Sequence, residues 1–123
     1  MTIAEAYELA PAYRPNNKAE ESDVLRWIND VESRIHKDIL MPYFHFEKPF
    51  VPYTMATPTS TKLLADVGYD RLYQYWICAS IDMLQGDSER YNESIERFNN
   101  LFEEYAGYIA RTHLAKHRPM RYW

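Results

Sequence analysis

The sequence predicts an all-α fold: a small bundle of three long helices plus a short N-terminal helix, with a long loop rich in proline and aromatic residues. Three observations favour this fold. Glycine occurs only 3 times in 123 residues, whereas the turns and bulges of all-β folds depend on glycine. Apolar residues recur at steps of three and four along three long segments, which is the spacing of one helix face. The length fits a single domain with one core.

The first predicted helix is short and covers Thr2–Leu9. Thr2 occupies the N-cap position, and Glu5 follows three residues later in the capping-box arrangement. Pro11 and Pro15 come next. Because proline cannot continue the helical hydrogen-bond pattern, we expect these two residues to stop the helix.

The second predicted helix covers Ala19–Leu40 and is amphipathic. Its apolar stripe consists of Val24, Ile28, Val31, Ile35 and Ile39, flanked by Leu25 and Trp27. On the polar face, Asp30 and Arg34 stand four residues apart, a spacing at which opposite charges stabilise a helix by about 0.2–0.5 kcal/mol. We therefore predict that Asp30 pairs with Arg34.

A long loop is predicted for Met41–Asp66, because 4 prolines interrupt this stretch and proline breaks helices. Short strands within the loop are left open. Loops of this length are often binding elements. Two interpretations follow: the aromatic side chains cover the helices as a lid, or they dock a partner protein. The residues concerned are Tyr43, Phe44, Phe46, Phe50 and Tyr53.

Two further helices are expected to form an antiparallel hairpin, because the segment between them is very short. The first covers Tyr69–Gln85 and ends at Gly86. The second begins at Asp87 or Ser88 and continues to about Thr112. Their apolar faces consist of Leu72, Tyr73, Trp76, Ile77, Ile81 and Leu84 in the first, and of Tyr91, Ile95, Phe98, Phe102, Tyr105 and Ile109 in the second.

Few residues form patterns that carry catalysis. The glycines at Gly68, Gly86 and Gly107 allow no glycine-rich phosphate loop and no nucleophile elbow. Cys78, the only cysteine, has no neighbouring histidine to activate it, so we interpret it as a packed side chain. A chain with one cysteine also favours an intracellular setting.

Metal and acid–base chemistry are equally weakly indicated. His113 and His117 have the helical spacing of metal ligands, but no third ligand stands nearby, and we interpret them as solvated. The glutamates of the last helix are interpreted as a solvated face: Glu89, Glu93, Glu96, Glu103 and Glu104. No cofactor and no metal are predicted, and an enzyme is the third-ranked class, behind two kinds of binding protein.

Charge is unevenly distributed along the chain. The net charge is −4, but the residues from Arg111 onward carry +4 and the 110 residues before them carry −8. We therefore divide the chain into a helical domain, residues 1–112, and a basic aromatic C-terminal arm, residues 113–123. An acidic body argues against a general nucleic-acid binder, whose phosphate contacts need a basic face. Neither a membrane span nor an export signal is expected.

Strings of residues along the chain are similar to those of a known family. They are Arg26-Trp27-Ile28, Asp30, Arg34-Ile35, Pro52-Tyr53-Thr54, Tyr69-Asp70-Arg71-Leu72-Tyr73, Ile81-Asp82, Gly86-Asp87, Arg90-Tyr91-Asn92-Glu93-Ser94, Phe98-Asn99 and Arg111-Thr112-His113. In this order and spacing, from about Ala19 to His113, the chain resembles the head-tail connector (head completion adaptor) proteins of tailed phages of Gram-positive bacteria. Gly68 stands where a proline is common in that family, and Leu114-Ala115 replaces an expected Met-Pro.

This resemblance implies a structural virion protein of the head-tail interface, made in the host cytoplasm and without enzymatic activity. Such an adaptor docks on the portal protein after DNA packaging and assembles as a homo-oligomeric ring, commonly a dodecamer. The ring extends the DNA channel and is a platform for the neck, stopper or tail completion protein. An acidic body suits a channel through which DNA passes without specific binding.

The basic arm is the candidate portal-docking element, through His113, Lys116, Arg118, Arg121, Tyr122 and Trp123. Its charge, its proline and its terminal aromatic residues suit folding on a partner. The aromatic residues of the loop are the candidates for contact with the neck or tail protein. The alternative function is a small non-specific nucleic-acid-binding protein that uses the basic tail for phosphate contacts and Trp123 for stacking.

Overall fold

The computed structural model describes residues 1–44 and 50–117, with side chains described outside residues 43–44 and 113–117. Its elements are α1 (Ile3–Tyr13), α2 (Glu21–Arg34), a π-helical turn (Ile35–Leu40), α3 (Met41–Phe44), α4 (Arg71–Gln85) and α5 (Ser88–His117). The protein is mostly helical, as predicted. The described residues form no strand, and an isolated bridge joins Thr2 to Lys62.

Helix α1 begins as predicted but ends later. The Thr2 hydroxyl accepts from the Glu5 N–H at 3.2 Å, and the Glu5 carboxylate accepts from the Thr2 N–H at 3.1 Å. The prediction that Pro11 stops the helix is wrong, since α1 continues through it to Tyr13. Near the end of a helix a proline forfeits only one backbone hydrogen bond, and the Arg14 N–H still donates to the Ala10 carbonyl at 2.8 Å.

The predicted helix over residues 19–40 is helical from Glu21, but its last six residues are not α-helical. Ile35–Leu40 forms a π-helical turn, in which the Met41 N–H donates to the His36 carbonyl. Such a turn widens the helix locally and here buries Ile35, His36, Ile39 and Leu40. Spacings of three and four residues hold through the turn, so the apolar pattern gave no sign of it. Helix α3 then occupies the first residues of the predicted loop 41–66.

Helices α4 and α5 form the predicted antiparallel hairpin. Gly86 ends α4 with φ of 74°, a backbone conformation that glycine adopts without strain. The Asp87 carboxylate caps α5 by accepting from the Arg90 N–H at 3.1 Å. Helix α5 has 30 residues against 15 in α4. It ends at His117 rather than near Thr112, so its last turn lies within the predicted arm.

Helix α4 is the centre of the fold, because α1, α2 and α5 all pack on it. The loop before α4 closes one end of the core with Leu63 and Ala65, and it is tied to α1 by the Ile3 N–H, which donates to the Thr61 carbonyl at 3.0 Å. The largest fully buried side chains are Tyr73, Tyr105, Phe98, Ile3, Ile28, Ile35, Ile39, Leu72, Ile77 and Ile81. Most of these belong to the predicted apolar stripes.

One residue of the predicted stripes faces the opposite way. Leu84 is predicted on the apolar face of the second long helix, Tyr69–Gln85, but it is 70% exposed, whereas Asp82 is fully buried. The reason is the position of α1, which packs on α4 and places Arg14 against the Asp82 carboxylate. Near its C-terminal end, α4 therefore turns an acid inward and a leucine outward.

Candidate functional site

A buried ion pair joins α1 to α4. The Arg14 guanidinium donates to both carboxylate oxygens of Asp82, from Nε at 2.7 Å and from Nη2 at 2.9 Å. The Asp82 side chain is fully buried and that of Arg14 is 19% exposed. The hydrogen bonds that Arg14 donates to Asp82 raise the pKa of Arg14. Two-point pairing of this kind fixes the angle of a guanidinium, so it positions the end of α1 on α4.

Glu32 of α2 is a second buried acid, and it connects α2 to the loop and to α4. Its carboxylate accepts from the Tyr53 hydroxyl at 2.6 Å, from the Leu64 N–H at 2.9 Å and from the Tyr73 hydroxyl. The Tyr73 oxygen in turn accepts from the Ala65 N–H at 3.0 Å. Burial raises the pKa of Glu32, although these hydrogen bonds oppose the shift. The carboxylate is therefore a structural hub, with both of its oxygens hydrogen-bonded.

The loop residues after position 49 are fastened to the helices. The Asn29 side chain accepts from the Tyr53 N–H at 2.9 Å and donates to the Tyr53 carbonyl at 3.0 Å. The Phe50 ring packs edge-on against His36 and Tyr53, with ring centroids 6.3 Å and 5.5 Å apart. For Phe50 and Tyr53 the lid interpretation therefore fits better than that of a free docking loop. We call the surface formed by Arg14, Glu32, Tyr73 and Asp82, together with this covering loop, the sealed side.

A second region beside α4 is a groove. Helices α2 and α5 lie on either side of α4 and have little direct contact with each other, so a hollow of about 200 Å³ remains between the three. We call it the open groove. It is lined by Arg26, Trp27, Asp30, Trp76, Ala79, Ser80, Met83, Leu84, Tyr91 and Ile95. Met83 and Leu84 at its rim are 60% and 70% exposed. Apolar side chains exposed together beside a concavity are typical of an interaction site.

The predicted ion pair between Asp30 and Arg34 does not form. The Arg34 guanidinium lies instead over three aromatic rings, 5.4 Å from the centroids of Trp76 and Phe98 and 5.5 Å from that of Phe102. Aromatic faces attract cations, and three of them outweigh one solvated carboxylate. Asp30 is left without an ion pair among the described residues. Burial in the groove raises the pKa of its carboxyl.

Trp76 supplies the other polar group of the open groove. Its indole N–H is buried and has no hydrogen-bond partner among the described residues. It lies beside the Asp30 carboxylate, where burial raises the pKa of the carboxyl while the Arg26 charge and the Trp76 N–H oppose that shift. The ring itself packs on Phe98 with centroids 4.9 Å apart. The groove thus offers an apolar floor and a carboxylate that forms no ion pair among the described residues.

The described residues that line this groove include none of the site residues predicted in the loop and in the arm. Tyr43 lies in α3 and Lys116 in α5, with their side chains outside the described part, as are those of Phe44 and His113. The remaining predicted residues lie outside the described residues: Phe46, Arg118, Arg121, Tyr122 and Trp123. The solvated face of α5 is confirmed, because all five of its glutamates are exposed. Cys78 is buried, as predicted, and burial raises the pKa of its thiol.

Sequence reasoning missed the residues that organise the two sides of α4. Glu32 follows Ile28 by four residues, and Asp82 follows Cys78 by four, so both acids stand at inward-facing helical spacing. An acid at such a position needs a buried partner, and this was the available signal. The open groove left no comparable signal, because it depends on how far apart α2 and α5 lie.

Comparisons with known proteins gave no match to a family model, to a curated protein or to a solved structure. Among the described residues, no group of three or more histidine, cysteine or acidic side chains is arranged to hold a metal ion. In the same part of the chain, no helix combines the length and the apolarity that crossing a bilayer requires. The function is therefore argued from the residues themselves.

Proposed function

We propose that this protein is a head-tail connector of a tailed phage: a structural protein that docks on the portal after DNA packaging. It forms a ring, commonly of twelve copies in the family it resembles, that extends the DNA channel and carries the neck or tail completion protein. The observation that carries the proposal is the separation of charge along the chain, with −8 before Arg111 and +4 from it onward, together with the length of α5.

Helix α5 supports the proposal, because its C-terminal half, which leads to the basic arm, extends beyond α4. The helix is twice as long as its partner α4, so its second half extends past the start of α4. Tyr69 stacks there on Tyr105, with ring centroids 4.7 Å apart, and Ile109 is the last buried apolar residue among the described side chains of the helix. Arg111 beyond it is exposed. The basic arm therefore begins at one extreme of the body, where a second protein has access to it.

The acidic exposed face of α5 suits a wall past which DNA travels. Glu89, Glu93 and Glu96 are exposed and take part in no ion pair of the described residues. Like charge opposes phosphate binding, so such a face would not retain DNA. The sealed side holds α1, α2, α4 and the loop together through buried polar contacts, which gives a rigid subunit for assembly.

The test is co-sedimentation of the full chain with purified portal rings. We expect that replacing Arg118 and Arg121 by glutamine together with Trp123 by alanine abolishes co-sedimentation while the helical circular dichroism is unchanged. The matched control is Arg71→Gln with Arg97→Gln, which removes two exposed arginines of the body and should leave binding intact. Equal binding by the arm variant and the wild type would overturn the proposal.

A mobility-shift titration with short DNA at low and moderate salt distinguishes a connector from the alternative, a nucleic-acid-binding protein. A connector should shift DNA weakly at both salt concentrations. Binding that is strong at low salt, falls steeply with added salt and disappears in the arm variant would favour the alternative. Portal, capsid and tail genes next to the gene for this chain would favour the connector.

A further inference from the structure

The open groove has two features that the fold itself does not use. Met83 and Leu84 expose apolar surface at its rim, at 60% and 70%. The Asp30 carboxylate faces it without an ion pair among the described residues. A segment that fits the groove therefore carries apolar side chains and a cation.

The end of the chain has this composition. Residues 118–123 read Arg-Pro-Met-Arg-Tyr-Trp, so two cations stand among one methionine and two aromatic residues. Pro119 lacks an N–H, so this segment brings one donor fewer into an apolar groove. The arginines of the segment are suited in charge to Asp30, the acid in the lining of the groove, which also contains Arg26.

The segment cannot reach the groove of its own chain. Ile95 in the groove and His117 lie on the same helix, α5, about 33 Å apart at the helical rise of roughly 1.5 Å per residue. Six residues fully extended reach about 22 Å. Residue 118 follows His117, at the end of α5 that is farther from the groove. If this segment occupies the groove, it therefore belongs to another copy of the chain.

We propose that the open groove of one copy binds the basic arm of a second copy. Arginine from the arm pairs with Asp30, and apolar side chains of the arm cover Met83, Leu84 and the exposed edge of Trp76. The contact is heterologous, since the groove and the arm are different surfaces, and such contacts build rings or open chains rather than closed pairs. The inference rests on the proposed function for the arm, which would leave the neighbouring groove when it docks on the portal.

The experiment mixes two full-length variants, each lacking one half of the contact. The groove variant carries Met83→Ser and Leu84→Ser with an intact arm. The arm variant carries Arg118→Gln, Arg121→Gln and Trp123→Ala with an intact groove. Sedimentation velocity should show association of the wild type, monomers for each variant alone, and a 1:1 complex that grows no further when the two are mixed.

Two single substitutions refine the assignment. Asp30→Asn should weaken wild-type association about two- to fivefold, the range expected for one partly solvated ion pair. Asp38→Asn removes an exposed acid of the π-helical turn outside the groove and should change nothing. Val67→Ser is the apolar control, because Val67 is 90% exposed and is not among the residues that line the groove.

The outcomes separate this inference from the proposed function. Association of the arm variant with itself would overturn the arm-in-groove contact, and so would a wild type that stays monomeric up to about 1 mM, where even weak binding is detected. A mixture of the two variants that forms no complex would overturn it as well. None of these results bears on co-sedimentation with portal rings, which tests the proposed function alone.

Discussion

The sealed side and the open groove hold acidic residues in opposite ways. On the sealed side, Glu32 and Asp82 are fully buried, and every hydrogen bond they need comes from the same chain. In the open groove, Asp30 lies two positions before Glu32 on the same helix and has no ion pair among the described residues. Polar groups that are satisfied internally stabilise the fold, whereas unsatisfied ones beside apolar surface favour a partner. The comparison predicts large stability effects on the sealed side and small ones in the open groove.

The largest effect is expected from Arg14→Met, which leaves the Asp82 carboxylate buried without its cation. Removing one partner of a buried ion pair costs about 3–5 kcal/mol, and urea denaturation measures the loss. The double variant Arg14→Met with Asp82→Leu should recover much of it, because apolar replacement of the whole pair is often tolerated. Arg26→Met, which breaks the exposed pair with Asp23 at 3.4 Å, is the control. A loss as large as that of Arg14→Met in this control would contradict the comparison.

Glu32→Gln should lower the free energy of unfolding by about 1–3 kcal/mol, since an amide cannot accept all the hydrogen bonds of the carboxylate. The effect depends on pH. The pKa of Glu32 is raised in the folded state above its ordinary 4.5, so the folded protein binds the proton more tightly, and the wild type gains stability as pH falls through that window. The difference between wild type and variant should therefore grow from pH 8 towards about 4.5. Denaturation curves that converge at low pH would contradict this assignment.

Arg34→Met should cost about 1 kcal/mol, because the aliphatic stem is preserved while the cation over three aromatic rings is lost. Arg34 lies over Trp76, Phe98 and Phe102. Arg34→Lys should recover part of the loss, since it restores a cation. Thermal denaturation of the three proteins measures the order of their stabilities. A methionine variant as stable as the wild type would show that the cation contributes nothing.

Phe50→Ser tests whether the loop is a lid. Phe50 is half-buried against His36 and Tyr53, so its loss should cost about 1 kcal/mol of stability. Val51→Ser, at a neighbouring position that is 77% exposed, should cost less than about 0.5 kcal/mol. Contact of the loop with the neck protein is tested by replacing Phe46 and Phe50 together with serine. A folded double variant should then yield filled heads that do not join tails. An unchanged stability of Phe50→Ser would count against the lid.

The smallest effect is expected in the open groove. Met83→Ser with Leu84→Ser removes apolar groups that are already mostly in water, so the free energy of unfolding should change by less than about 0.5 kcal/mol. The same variant should lose self-association, as argued above. A large loss of stability would instead make these residues part of the core and remove the contrast between the sealed side and the open groove.

Local sequence was a good guide to the elements and a poor one to their partners. The capping box at Thr2 and the stop at Gly86 are set within a few residues of chain, and both are confirmed. The interpretation of Pro11 failed because a proline near a helix end costs a single hydrogen bond. The exposure of Leu84 could not be foreseen, because it depends on where α1 packs. The pairing of Asp30 with Arg34 failed because three rings from α4 and α5 compete for the guanidinium.

The sequence by itself determined that the chain is helical, that α4 and α5 form a hairpin and that the net charge changes from −8 before Arg111 to +4 from it onward. Those properties follow from periodicity, capping and composition, which act over short stretches. Only the tertiary structure decided that Glu32 and Asp82 are buried hubs and that α2 and α5 leave a groove on α4. Burial and concavity arise from the packing of distant segments, so the spacing of residues along the chain does not reveal them.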